Sequence, residues 1–202
     1  MTAHANLHPS QRATALWSAD RFLEFYMSRP DEERWQLVDG LPMMMVPATL
    51  PHQRIAKNLL MLLEAALQRA RPDLETFYEI DVRIPGIDDF NPEPDLIVIE
   101  AQASFERYAD RFYLVAEVVS PSNTAEMIGR KLELYQSHPD NLYCLTIDQD
   151  SVHVTVDARS AGGWTRSELT SLDGLLRLPA FGLEATLADI YKGTPLAHAA
   201  GA

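Results

Sequence analysis

Residues 112–119 read FYLVAEVV, an apolar run broken only by Glu117. Just upstream, residues 95–99 read DLIVI, apolar once past Asp95. Near-continuous apolar runs of this length mark central strands that are covered on both faces. Such strands need helices above and below them, so these two runs point to an α/β sandwich.

The flanking sequence supplies the other elements. Ser18 can cap a short helix that Pro30 stops, and RWQLVDGLPMMM reads as two strands joined at Asp39-Gly40. Over residues 51–70, Ile55, Leu59, Leu62, Leu63, Ala66 and Leu67 recur at helical spacing, with Pro51 in the first turn. FYEIDVRI at 77–84 alternates apolar and polar residues, which predicts a strand with one buried face. A second helix is expected from about Thr124 to Gln136, with Asn123 and Glu126 resembling a capping box. Strands near 142–148 and 151–157 follow, then a short helix near 186–192 capped by Thr186. The expected fold is a mixed β-sheet flanked by α-helices, with an N-terminal β-hairpin. Residues 16–193 form its single domain, between disordered tails at 1–15 and 194–202.

Three charges sit where burial should exclude them. Glu117 interrupts one apolar run and Asp95 opens the other. Lys131 falls within the helical arc of Met127, Ile128, Leu132, Leu134 and Tyr135, opposite Glu126, Arg130 and Glu133. An unpaired charge facing the sheet would cost several kcal/mol. If strands 95–99 and 112–117 pair antiparallel with Ile99 opposite Tyr113, Asp95 falls opposite Glu117. Carboxylates that close repel unless a proton or a cation lies between them. A hard divalent ion such as Mg²⁺ suits two oxygen ligands plus water.

These residues also carry a resemblance. PEPDLIVI, YLVAEVVSPS and a helix bearing GRKLELY resemble the PD-(D/E)XK nuclease superfamily, and more closely its branch of bacterial restriction endonucleases, the Uma-two family. The similarity runs over residues 16–193 and takes in the hairpin, PHQRIAKNLL and LRLPAFGLEATLADIY. It implies a restriction-endonuclease-like core and a metal-dependent endonuclease that hydrolyses DNA with Mg²⁺ or Mn²⁺. Asp95, Glu117 and the Val118 carbonyl would be metal ligands, and Lys131 would orient water and stabilise charge on the phosphorus. Glu79 matches an acidic position, as a third ligand, a water-positioning base or a solvated strand residue. His52 also matches a family position, either in the site or as a buried core or capping group. Tyr135 would hydrogen-bond within the site or simply pack. The sequence departs from the pattern at Met127, where an acid often precedes the lysine by one turn, and at Gln36, where Glu is frequent.

Composition bounds the rest. Lys plus Arg is 17 and Asp plus Glu is 29, a net charge of −12. That excludes a basic coating protein for nucleic acid. Contacts to phosphates would need a local basic surface, for which Arg69, Arg71, Arg83, Arg107, Arg111 and Arg130 are candidates. The single cysteine, Cys144, excludes an intrachain disulfide and a four-cysteine zinc site, and reads as a small core residue. Ser120 lacks the setting of a serine nucleophile and reads as a turn residue. The acidic loop Asp88, Asp89, Glu93 lacks calcium-loop spacing. No signal peptide or membrane span is expected, so a cytoplasmic location fits. A homodimer would suit cutting two strands. Two other functions stay open: a nuclease-fold binding or assembly module without turnover, and a hydrolase of RNA or small nucleotides.

Overall fold

The structure is a computed structural model and describes residues 16–101, 107–120 and 123–197. Its elements in chain order are α1 (Ala19–Met27), β1 (Trp35–Val38), β2 (Leu41–Met44), α2 (Leu50–Ala70), β3 (Leu74–Tyr78), β4 (Asp81–Val82) and β5 (Leu96–Glu100). Then come β6 (Tyr108–Ala109), β7 (Leu114–Val119), α3 (Ala125–Ser137), β8 (Tyr143–Asp148), β9 (Val154–Ser160) and β10 (Gly163–Leu169). A last hairpin, β11 (Leu175–Leu178) and β12 (Leu183–Thr186), leads into α4 (Leu187–Ile190).

Six strands form one mixed sheet in the order β10-β9-β8-β7-β5-β3. Only β7 and β8 run parallel, and α3 makes the crossover between them. Successive side chains of the central strands take opposite faces. Leu96, Val98, Leu114, Ala116 and Leu145 pack with Ile55, Leu59 and Leu63 of α2. Ile97, Val115 and Cys144 pack with Ile128, Leu132 and Tyr135 of α3. Each fully buried leucine here contributes roughly 1.5–3 kcal/mol. Burial on both faces is why the two central runs carry no polar alternation.

Local signals explain the helix ends. The Thr49 hydroxyl accepts the His52 N–H at the start of α2, where Pro51 lacks a donor to satisfy. At α3 the cap is Thr124, whose hydroxyl accepts the Met127 N–H. The Asn123–Glu126 capping box is therefore corrected: the Asn123 side-chain oxygen instead accepts the Ser120 N–H and closes the preceding turn. In the hairpin, Asp39 and Gly40 both have positive φ, at 50° and 69°, as a tight two-residue turn requires.

Three further expectations need correction. The strand placed at 77–84 is broken. β3 starts earlier, at Leu74, and Glu79 adopts a left-handed φ of 50°. Beyond it, β4 leaves the main sheet and pairs with β6. Tyr78 is consequently exposed, not buried. Secondly, β10 and the β11–β12 hairpin lie where no strand was expected. β10 is an edge strand with almost no buried side chain, so its sequence carries little apolar period. Thirdly, the expected tail from 194 begins too early: Thr194 is buried and Leu196 packs on the core. Residues 1–15 and 198–202 lie outside the described residues.

Candidate active site

The observed pairing of β5 with β7 is Leu96 with Ala116, Ile97 with Val115 and Val98 with Leu114. One further step along that register puts Asp95 opposite Glu117, as the sequence predicted. The Asp95 carboxylate turns onto the end of β7, where its Oδ2 accepts the Val118 N–H at 2.6 Å. Asp95 therefore also satisfies a main-chain donor. From the first turn of α2, His52 Nε2 lies 3.3 Å from the same oxygen. Burial pulls the His52 pKa down, but the Asp95 hydrogen bond and charge, the Glu117 charge and the Val118 main chain together raise it.

Glu117 is held from the opposite side by α3. The Lys131 Nζ is 2.6 Å from Glu117 Oε1, and the Tyr135 hydroxyl donates to the same oxygen at 2.7 Å. Lys131 and Tyr135 are one turn apart and both buried, as their helical phase required. Phe90 and Phe112 meet the Tyr135 ring edge-on and fix it. Burial raises the Glu117 pKa; Asp95 adds to that rise, while Lys131 and Tyr135 oppose it. Burial and Glu117 push the Tyr135 hydroxyl well above its usual range, which keeps it a neutral donor. Half-buried Met127 supplies no acid to Lys131. None is needed, because Glu117 is its counter-ion.

Residues 19–188 match the profile of the Uma2 family, described as "putative restriction endonuclease". The chain belongs to that family. Among solved structures it is similar to the crystal structure of a "putative nuclease belonging to DUF820" from Anabaena variabilis, at 17% identity and a TM-score of 0.68. The alignment covers 86% of this chain and 97% of the other, so the two share a fold. No curated protein matches the chain in sequence.

The Uma2 residues fit a hard divalent cation by their chemistry. Lys131 and Tyr135 both engage Oε1 of Glu117, which leaves Oε2 for another partner. With Asp95 and the Val118 carbonyl, that makes an all-oxygen donor set of the kind Mg²⁺ and Mn²⁺ accept, completed by water. Among the described residues no three His, Cys, Asp or Glu side chains are grouped as a metal cage. A cation here would thus rest on two carboxylates and the main chain.

Glu79 does not join this group. The register of β3 with β5 points it toward Asp95, but its left-handed backbone turns the side chain onto Arg34. Arg34 also pairs with buried Glu93. Burial pushes neighbouring Asp81 up to about 6. This second acidic cluster lines a cleft of about 500 Å³ beneath α1. The loop 88–93 is structural too, since the Asp88 and Asp89 carbonyls accept the N–H groups of Ala19 and Gly40.

Four of the six candidate arginines are tied to carboxylates. Arg71, Arg83, Arg111 and Arg130 pair respectively with Asp73, Asp20, Glu100 and Asp39 among others. Arg107 meets the Met27 sulfur. Cys144 is a core residue whose thiol burial pushes up to about 12. Gln149 is a residue that pattern reading missed. Its N–H donates to the Val119 carbonyl and its side-chain oxygen accepts the Thr49 hydroxyl at 2.7 Å. It thereby ties the first turn of α2, and so His52, to the end of β7. Nothing in the periodicity marks it.

Among the described residues no helix is long and apolar enough to cross a membrane.

Proposed function

We propose that this Uma2 protein is a metal-dependent endonuclease that hydrolyses DNA phosphodiester bonds. The observation that carries this reading is the convergence of Asp95, Glu117 and Lys131 at one end of the sheet, two acids with a buried lysine. Asp95, Glu117 and the Val118 carbonyl would hold Mg²⁺ or Mn²⁺. When bound, that ion would activate water and offset charge on the scissile phosphate. Lys131 keeps one Glu117 oxygen engaged and places an ammonium beside the site, where negative charge develops on phosphorus. Tyr135 stays protonated and orients Glu117. His52 and the Val118 N–H both sit on Oδ2 of Asp95, which leaves Oδ1 for the ion. Cutting both strands would take two such sites, which a homodimer would supply, and a cytoplasmic location would give access to DNA.

A second reading is a binding or assembly module without turnover. It is favoured by the net charge of −12 and by arginines already committed to carboxylates. Incubation of supercoiled plasmid with the protein in Mg²⁺, Mn²⁺ or EDTA separates the two. Nicked circles in either metal and none in EDTA are expected. Intact plasmid under all three conditions, from protein that binds Mn²⁺, would select the module.

A further inference from the structure

Gly129 sits in the middle of α3, where glycine costs a helix about 1 kcal/mol relative to alanine. Close packing usually explains such a residue. Here it does not, because a Cβ on Gly129 would meet nothing within 4 Å. Gly129 is exposed and lies at the rim of an open cleft of about 360 Å³ between α3 and the sheet. That is large enough for a small planar ligand. Val119, Ile128 and Leu132 give it apolar walls, and Asn123, Thr146, Thr155 and Arg166 bring polar groups.

The polar groups are poised for a neutral partner. The Thr146 hydroxyl has no hydrogen-bond partner. Asn123 engages Ser120 through its oxygen, which leaves its amide NH₂ as a donor. Arg166 is held by two bonds to buried Asp157, at 2.8 Å each, yet stays largely exposed. Among the described residues no carboxylate lines the cleft, in contrast to the one beneath α1. Apolar walls with donors and acceptors at the rim match a nucleobase, which has flat apolar faces and a hydrogen-bonding edge.

Its position ties it to the candidate site. Thr146 is the β8 neighbour of Glu117, and Ile128 and Leu132 flank Lys131 on α3. We infer that this cavity receives one unstacked base of a DNA strand whose phosphodiester lies at Asp95, Glu117 and Lys131. The inference rests on the nuclease reading for its substrate. Gly129, with no side chain, leaves the rim of the cleft uncovered for the base.

Fluorescence anisotropy with two single-stranded oligonucleotides of equal length tests this. One carries mixed bases and the other is wholly abasic, so both offer the same phosphates. The titrations are run in EDTA and in Ca²⁺. Wild type should bind the mixed-base strand about tenfold more tightly than the abasic one. Gly129→Leu, which covers the rim of the cleft, should erase that preference and leave abasic binding unchanged. Gly129→Ala should melt at a higher temperature than wild type and keep most of the preference. Equal binding of both strands by wild type overturns the base pocket and leaves the nuclease reading standing. A preference that survives in folded Gly129→Leu also overturns it. Binding of neither strand in either condition removes the nucleic-acid reading, and the pocket with it.

Discussion

Glu93 and Glu117 are buried almost equally, at 5% and 6% exposure, yet they are held in different ways. Glu93 shares Arg34 with Glu79, so a permanent guanidinium sits between two carboxylates. That cluster is neutralised from within and joins the start of the hairpin to the 79–93 segment. Glu117 faces Asp95 across a strand pair, and its partners are one ammonium and a phenol. Its pKa rises through burial and through Asp95, which marks a carboxylate whose surroundings do not fully compensate its charge. Burial alone does not make an acid functional. The partner set separates the Arg34 cluster, balanced by a guanidinium, from the acid proposed here as a metal ligand.

The largest break in this contrast is expected from Lys131→Ala. Nicking should fall by about 100-fold or more, since it removes the positive charge nearest the reacting phosphate. The measurement is the initial rate on supercoiled plasmid. A rate near that of wild type would make the lysine a mere counter-ion. Arg34→Ala should act on stability instead. It leaves Glu93 buried without its cation, at a cost of about 3 kcal/mol, the low end for a buried pair because Arg34 is partly exposed. Urea unfolding would measure it, and a change under about 1 kcal/mol would deny the structural role.

The third effect concerns Asp81, whose carboxyl is pushed up to about 6 from an ordinary value of 3.8, mainly by burial. The folded state therefore binds this proton more tightly than the unfolded chain. The stability it contributes is fully present below about pH 4 and is lost as pH rises through about 6. Asp81→Asn should be more stable than wild type at pH 7.5 by about 3 kcal/mol, and the gap should close by pH 4. Thermal melts across that range would show it, and a gap independent of pH would contradict the assignment.

Much of this was legible before the fold was known. The two central strands showed themselves because burial on both faces removes polar alternation. The Asp95–Glu117 register followed from the antiparallel ladder, and Lys131 from helical phase. Each depends on a period that the backbone imposes on the sequence. Other features have no period. The left-handed Glu79 is a single backbone choice, and it decides that this acid goes to Arg34 and not to Asp95. Arg34 and Gln149 act through long-range contacts that no local pattern encodes. β10 hid because an exposed edge strand need not be apolar. The cap of α3 shifted by one residue because Asn123 and Thr124 can both cap, and the turn at Ser120 claimed the asparagine.

The central claim is that the Asp95–Glu117 pair, not the Glu79–Glu93 cluster, holds the catalytic metal. Calorimetric titration of Mn²⁺ into wild type, Asp95→Asn and Glu93→Gln tests it most directly. Wild type and Glu93→Gln should bind alike, and Asp95→Asn should lose the binding heat. Binding that persists in Asp95→Asn and vanishes in Glu93→Gln would move the metal to the other cluster and contradict the account.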